Sequence, residues 1–455
     1  MSDVLGELRN ALPEARVITD PDVMDGYRRD QTPTVFAGKP LCVVVAHATA
    51  DVAATLAWAQ EHGVPVVPRG GGTSLAGGAT ATDGCVVLST ARMTTIREVD
   101  PANEVAVAEA GVINADLDRA AAEHGLMYAP DPSSYEISTI GGNLATNAGG
   151  LRCVKYGVTR DSVLGLEVVL AGGRVLRTGR RTVKGVTGYD LTSLFVGSEG
   201  TLGVITSATL RLRPRPATYP KTMAAGFDSF AAAARAVTAI LAARIRPSLL
   251  ELMDRATLRA IDDWKHTGFG QDIQALLIAQ DDSDNAERGT ERMRELSLAE
   301  GAVMADVSAS DDESRQLLDL RRLAAPAVQR LGVILVEDVC VPRTRLPEMV
   351  ERIERAASRH EVFIATVAHA GDGNLHPVFV FEPGLPEVPP AVWAAADEVF
   401  RAALDLGGTL TGEHGVGMIK RRWLADELGS ESMAVHHAIK AALDPVGILN
   451  PGKAI

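Results

Sequence analysis

Two histidines bracket a short turn in His369-Ala-Gly-Asp-Gly-Asn-Leu-His376, with the apolar runs Val362–Ala368 and Pro377–Phe381 on either side. Runs of that kind read as strands, and the Gly/Asp/Asn turn joins them into a hairpin. Paired positions on neighbouring strands bring Cβ atoms to ~5 Å, a spacing that suits two imidazoles on one ion. Either histidine alone reads as structural; the pair on this turn favours a metal. Gly408-Thr-Leu-Thr-Gly-Glu-His-Gly-Val-Gly417 adds Glu413 and His414 in a glycine-rich loop. Two imidazoles and one carboxylate leave coordination positions open, as a catalytic site requires. The plain alternative for Glu413 and His414 is the start of a helix over Met418–Leu428, and the residues alone leave both readings open. Among the other histidines, His62, His124 and His360 belong to helix ends and His436-His437 to a surface helix, all structural.

A second chemistry is written in glycine. Val66-Val-Pro-Arg-Gly-Gly-Gly-Thr-Ser-Leu-Ala-Gly-Gly78 directly follows a strand. Consecutive glycines permit positive φ and let backbone N–H groups converge on an anion, with Arg69, Thr73 and Ser74 as further donors. Taken alone, the cluster could be an ordinary loop. It matches neither GxGxxG nor GxxxxGK[ST], so the ordinary dinucleotide sheet and the P-loop lose their main support. The theme continues in Asp131-Pro-Ser-Ser134, Thr139-Ile-Gly-Gly-Asn-Leu-Ala-Thr-Asn-Ala-Gly-Gly150, Lys184-Gly-Val-Thr-Gly-Tyr-Asp190 and Val196-Gly-Ser-Glu-Gly-Thr-Leu-Gly-Val-Ile-Thr206. Together these segments look like the walls of one groove around an extended, phosphate-bearing cofactor.

The elements that must position these loops follow from periodicity and punctuation. A helix is expected over Val4–Leu12, strands at Leu41–Val45 and Val64–Val67, and between them a helix over Ala50–His62 capped by Thr49. Further strands are expected at Cys85–Leu88, Glu104–Ala108, Gly165–Leu170 and Gly203–Arg213. Arg213-Pro-Arg-Pro216 reads as a turn-rich boundary. Beyond it come helices at Phe230–Ala243, Asp311–Gln329 and Leu346–Arg359, and strands at Ile273–Ala279 and Ala302–Asp306. The chain thus divides into a helical segment over 1–36, a cofactor domain over 37–215 and a second domain over 216–455. No fixed-period repeat is present. At 455 residues, two or three domains are expected.

Composition narrows the classes. With 45 Lys+Arg against 58 Asp+Glu, the net charge of -13 argues against nucleic acid as a partner. No apolar run reaches the ~18 residues of a membrane span, and no secretion signal is evident, so a cytoplasmic protein, or one peripheral to the inner membrane face, is expected. The four cysteines are scattered, which fits a reducing compartment and supplies no CxxC for iron–sulfur or structural zinc ligation.

The ordered set PRGGGTSLAGG, DPSS…TIGGNLATNAGG, KGVTGYDL and GSEGTLGVIT resembles the FAD domain of the vanillyl-alcohol-oxidase-type flavoproteins. It is most similar to the branch containing D-lactate, glycolate and D-2-hydroxyglutarate dehydrogenases, from about residue 37 to Leu443-Asp-Pro-Val-Gly-Ile-Leu-Asn-Pro-Gly-Lys453. The resemblance implies an α+β fold: a two-subdomain FAD-binding domain plus an α+β substrate (cap) domain with an antiparallel sheet. It implies that Arg69, Gly70, Gly71, Gly72, Thr73 and Ser74, with Gly77, cradle the FAD pyrophosphate. Asp131, Ser134, Gly141, Gly142, Asn143, Thr146 and Gly150 would line the flavin and ribityl region. Glu199, Gly203 and Ile205 would lie near the adenosine end, with Asn450 as a further cofactor contact. Covalent members often carry a His in the glycine loop; Thr73 stands there, so FAD is expected to be non-covalent.

The same branch shares HxGDGNxH followed by GEHGxG. That likeness implies His369, His376 and Glu413 as ligands of a divalent metal (zinc, manganese or iron) and His414 as the base. It implies Arg321 as the grip on a substrate carboxylate, which a planar guanidinium meets bidentately; a solvated helix charge is the plain alternative. Ala324, Ala325, Val336 and Val378 stand where polar partners for a second carboxylate would be, which speaks against a dicarboxylate. The implied reaction is oxidation of a short D-2-hydroxy acid, D-lactate or glycolate, with hydride transfer to flavin N5. Alternatives are a D-2-hydroxyglutarate dehydrogenase, an ether-lipid-synthase-type transferase, which lacks the HAGDGNLH hairpin, and a non-catalytic flavin subunit. With no nicotinamide fingerprint and no cysteine cluster, electrons are expected to leave to a separate quinone, electron-transfer flavoprotein or iron–sulfur subunit. A homodimer is compatible with all of this.

Overall fold

In a computed structural model, residues 2–12, 16–217, 219–268, 272–385 and 387–455 are described. The chain forms two compact units, Met1–Gly149 with Val158–Arg215 and Glu413–Ile455, and Gly150–Gly157 with Pro216–Gly412.

The first unit starts from short, unbroken apolar runs, the signature of strands buried on both faces. Cys42–Val45, Val86–Ser89 and Val66–Arg69 are parallel neighbours, with Val17–Ile18 antiparallel at the edge. The crossover helix Thr49–His62 packs Val52, Leu56 and Ala59 onto the core of this sheet, which also takes in Ile448 and Leu449 from the C-terminal segment. The expected Thr49 cap is not what starts this helix. The Asp51 carboxylate accepts the His47 and Ala48 N–H groups (2.8 and 3.1 Å), while the Thr49 hydroxyl donates to Glu167 (2.7 Å). One carboxylate oxygen of Asp51 takes both N–H groups that lead into the helix, and its negative charge lies in the first turn, where the helix dipole favours it.

A second, antiparallel sheet of this unit orders Ile96–Asp100, Val105–Glu109, Val204–Arg211, Val163–Val169 and Val175–Gly179. Arg213–Pro214, expected to be turn, instead pairs with Leu126–Met127.

The second unit is built on one eight-stranded antiparallel sheet. Its main path runs Ala302–Val307, Lys221–Phe227, Ala275–Asp281, Leu249–Asp254, Phe363–His369, Asn374–Phe381 and Val333–Val336, with Val339–Cys340 also on Asn374–Phe381. On one face Leu249, Met253, Leu276, Ile278, Val367 and Val378 pack with Leu258 and Ile261 of helix Arg255–Lys265 and with Ala327 and Val328 of helix Ala324–Gln329. Their alternates Leu250, Leu252, Leu277 and Phe379 are buried as well, so both faces are covered. The single helix expected over Asp311–Gln329 is interrupted at Leu323 into Asp311–Arg322 and Ala324–Gln329. Pro326 is the physical reason: it has no N–H to return to the Arg322 carbonyl, and its ring crowds that position. Leu249–Asp254 is a strand the sequence reading omits. Among the described residues no helix is long and apolar enough to cross a membrane.

Candidate active site

The glycine loop leaves strand Val66–Arg69 and is shaped by close backbone approach. A Cβ on Gly71 would stand 2.6 Å from the Ile137 carbonyl oxygen, so only glycine lets this loop rest on the segment before helix Ile140–Thr146. Thr139 caps that helix, accepting the Gly142 N–H at 3.3 Å. The Ser74 hydroxyl accepts from Gly78 N–H (3.3 Å), and the Thr32 hydroxyl accepts from Gly77 N–H (3.0 Å). The Arg69 guanidinium donates to the Arg29 carbonyl at 2.8 Å, and burial holds its pKa below the ordinary arginine value. Arg69–Gly78, Ser134 and Gly141–Thr146 therefore come together in one unit, whereas Gly150 belongs to the other.

The C-terminal segment ties these loops together, and this the sequence reading does not foresee. The Asn450 side chain donates to the carbonyls of Gly78 (3.0 Å) and Glu199 (2.8 Å), joining the glycine loop to the Gly-Ser-Glu-Gly loop. Glu199, assigned to the cofactor, has its buried carboxylate on the Val416 and Gly417 N–H groups (2.8 and 2.9 Å), and burial pushes its pKa up. It thereby holds the backbone immediately after His414. Lys440 donates to the carbonyls of Thr201 and Leu449 (2.7 and 2.8 Å), and Lys453 to that of Thr80. Gly149 lies against the Glu413 carboxylate with no room for a Cβ. Gly203 packs on Val168, and Ile205 is buried in strand Val204–Arg211. The Glu413–His414 segment is loop, and the helix after it begins at Arg421, not Met418.

In the second unit the two histidines are buried on the sheet face shared with Met253 and Val367. They are not directly opposed: His369 pairs with Asn374, and His376 with Val367, which makes the imidazoles diagonal neighbours. Their ring centroids are 5.0 Å apart at an interplanar angle of 82°. Diagonal reach of this kind is within the range of long side chains on a twisted sheet. Behind His369 stands Glu251, whose carboxylate accepts from His369 Nδ1 at 2.8 Å and from Arg321 Nε at 2.8 Å. Arg321 is thus a buried, paired cation and not a solvated helix charge. Behind His376, Asp338 accepts from Asn374 Nδ2 (2.5 Å) and the Thr411 hydroxyl (2.7 Å), with its oxygen 3.8 Å from His376 Nδ1. Val336 and Val378 are cross-strand partners in one apolar cluster with Ala324, whereas Ala325 is exposed. Glu251 and Asp338 carried no motif that sequence reading could weigh.

A small parallel sheet with a glycine loop, an antiparallel companion and a large antiparallel sheet that carries a buried polar cluster match the vanillyl-alcohol-oxidase-type fold. The solved structure of p-cresol methylhydroxylase with substrate bound shares this fold, with a TM-score of 0.81 over 100% of this chain and 96% of that one at 19% identity. The chain belongs to the FAD-linked oxidases: residues 217–454 match the model of their C-terminal domain, and residues 40–179 match an FAD binding domain. It is 44% identical over 430 residues to glycolate oxidase subunit GlcD of Bacillus subtilis, covering 94% of this chain and 91% of that protein. It is 37% identical over 439 residues to D-lactate dehydrogenase of Archaeoglobus fulgidus, covering 95% and 96%.

The residues present fit FAD. Ser138 Oγ, Asn143 Nδ2 and Asn450 Oδ1 are buried with no hydrogen-bond partner among the described residues. Each such atom costs ~1–3 kcal/mol unless a ligand satisfies it.

Proposed function

We propose that this chain oxidises a short D-2-hydroxy acid, D-lactate or glycolate, to the 2-oxo acid. The observation that carries the reading is the buried Arg321–Glu251–His369 chain beside His376, on the sheet face whose apolar cluster includes Ala324, Val336 and Val378. Names of the relatives, a glycolate oxidase subunit and a D-lactate dehydrogenase, support the same substrate class. Bound FAD, held by the Arg69–Gly78 loop and the Asp131–Thr146 segment, supplies the acceptor for the substrate's hydride. His369, His376 and Glu413 would hold a divalent ion, which would supply Lewis acidity toward the substrate hydroxyl. The ligand types suit it: two imidazoles and one carboxylate leave positions for substrate oxygens.

The chain's own residues do the rest. Arg321 spends its Nε edge on Glu251, and its terminal nitrogens make no other hydrogen bond among the described residues, so they are available to a carboxylate. His414 takes the hydroxyl proton as general base. The loop that carries it is braced by Glu199 through the Val416 and Gly417 amides, which limits how far the imidazole can wander. Ala324, Val336 and Val378 accept a methyl group or hydrogen at no cost, whereas a second carboxylate against them would be buried without a partner. FAD is non-covalent, since Thr73 offers no nucleophile for a tether; acid precipitation should release the flavin, and colour retained in the washed pellet would contradict this. Electrons leave to a separate acceptor, because the sequence contains no nicotinamide fingerprint and no cysteine cluster to pass them on.

The substrate assignment is tested by competition kinetics on the purified, FAD-loaded protein. D-lactate or glycolate should show a kcat/KM at least ~100-fold above D-2-hydroxyglutarate, equivalent to ~2.7 kcal/mol in transition-state binding. A preference for D-2-hydroxyglutarate would mean that a cation reaches the substrate's far end and the apolar-pocket argument has failed.

A further inference from the structure

Glu251 sits in the strand Leu249–Asp254, 1% exposed, directly paired with His369 across the sheet. One of its oxygens is 2.8 Å from His369 Nδ1, and the other accepts from Arg321 Nε at 2.8 Å and lies 3.0 Å from the same Nδ1. A carboxylate only accepts, so Nδ1 of His369 carries the hydrogen and Nε2 keeps its lone pair for a ligand. The same anion takes the Nε edge of Arg321, fixing the plane of the guanidinium while its terminal nitrogens stay available. His376 Nδ1 stands 3.8 Å from Asp338, beyond hydrogen-bond range, and Asp338 is committed to Asn374 and Thr411. Among the described residues it is His369 whose imidazole shares an anion with Arg321.

We propose that Glu251 is a positioning residue that couples metal binding to substrate binding, setting the tautomer of His369 and the orientation of Arg321 through one carboxylate. The proposal rests on the reading above, in which His369 ligates a divalent ion and Arg321 grips the substrate carboxylate. It follows that one substitution at a residue touching neither ion nor substrate disturbs both. Carboxylates behind metal-bound histidines ordinarily contribute ~10–100-fold in metal affinity. Losing the partner of a buried arginine frees the guanidinium to rotate and leaves its charge uncompensated.

The test uses the full chain loaded with FAD and stripped of metal, with Glu251→Ala, Glu251→Gln and His369→Ala variants. Zinc(II) affinity is measured by competition with a chromophoric chelator. KM and kcat are measured with a dye acceptor and whichever of D-lactate or glycolate turns over faster. Flavin absorbance and thermal unfolding establish that each variant is folded. Glu251→Ala should bind zinc ~10–100-fold more weakly and raise KM by at least ~10-fold, with kcat changing less. In Glu251→Gln the amide oxygen can still accept from His369 Nδ1–H but its NH2 cannot serve Arg321, so zinc affinity should partly recover while KM stays raised. If Glu251→Ala does not fold, this isosteric variant carries the test: zinc affinity below wild type together with raised KM supports the coupling, and wild-type zinc affinity or KM overturns it. A folded variant with wild-type zinc affinity and KM, or one in which only KM or only zinc affinity moves under Ala substitution, overturns the coupling. His369→Ala separates the two claims. If it keeps zinc, the metal reading itself fails; if it loses zinc while Glu251→Ala does not, only the role of Glu251 fails.

Discussion

The two units place their polar groups by opposite means. In the first, the loops are built from backbone: glycines that permit close approach, N–H groups at loop turns, and a few small hydroxyls, with the side chains of Asn450, Glu199 and Lys453 spent on bracing other backbone groups. In the second, long ionisable side chains, Glu251, Arg321, His369 and His376, project from an antiparallel sheet and one helix and are buried among aliphatic groups. Backbone contacts suit an extended, phosphate-bearing cofactor whose charge is spread along its length. Side-chain constellations suit a small substrate that must be gripped at two or three atoms. The difference predicts how each unit fails. Added bulk should harm the first, whereas loss of a single charge or lone pair should harm the second.

The largest effect should come from chemistry itself. His414→Asn is expected to keep FAD and most metal, yet slow substrate-driven flavin reduction by at least ~100-fold in anaerobic stopped flow; wild-type bleaching would remove His414 from the mechanism. Next, His376→Ala should lower metal content by at least ~10-fold in elemental analysis while the protein stays yellow. Coordinated loss of flavin and metal would break the proposed division of labour. Gly71→Ala is the converse experiment: its new Cβ meets the Ile137 carbonyl, so the glycine loop must shift, at ~1–3 kcal/mol. FAD should bind at least ~10-fold more weakly, measured by flavin fluorescence on titration, with zinc affinity unchanged.

The last expected effect is one of pH and concerns stability, not catalysis. Asp254 is half-buried at the start of helix Arg255–Lys265, its carboxylate accepting from Thr257 N–H (2.8 Å) and Thr366 N–H (2.7 Å), and desolvation of the carboxyl raises its pKa to about 6. Because the folded value lies above the unfolded one of 3.8, the native state holds more protons between them, and this group's contribution to stability falls as pH rises from about 4 to 6. Asp254→Asn should remove that slope, on the order of 2 kcal/mol between the wild-type and variant unfolding curves across this window. Parallel curves would show that Asp254 titrates at its ordinary value.

What the sequence determined by itself is everything written in local pattern. Unbroken valine runs specify strands buried on both faces, consecutive glycines specify loops that approach another backbone, and Gly-Asp-Gly-Asn between two apolar runs specifies the hairpin that carries His369 and His376. These signals act over a few residues, so they survive without knowledge of the fold. Only the tertiary structure decided which buried charges meet. Glu251 and His369 are separated by 118 positions and Asn450 and Glu199 by 251, and neither pair has a motif. Strand order and register bring Glu251 opposite His369, and a one-residue slip would turn it to the other face. Register depends on the packing of the whole sheet against its helices, and that information is spread across the chain rather than held in any short stretch of it.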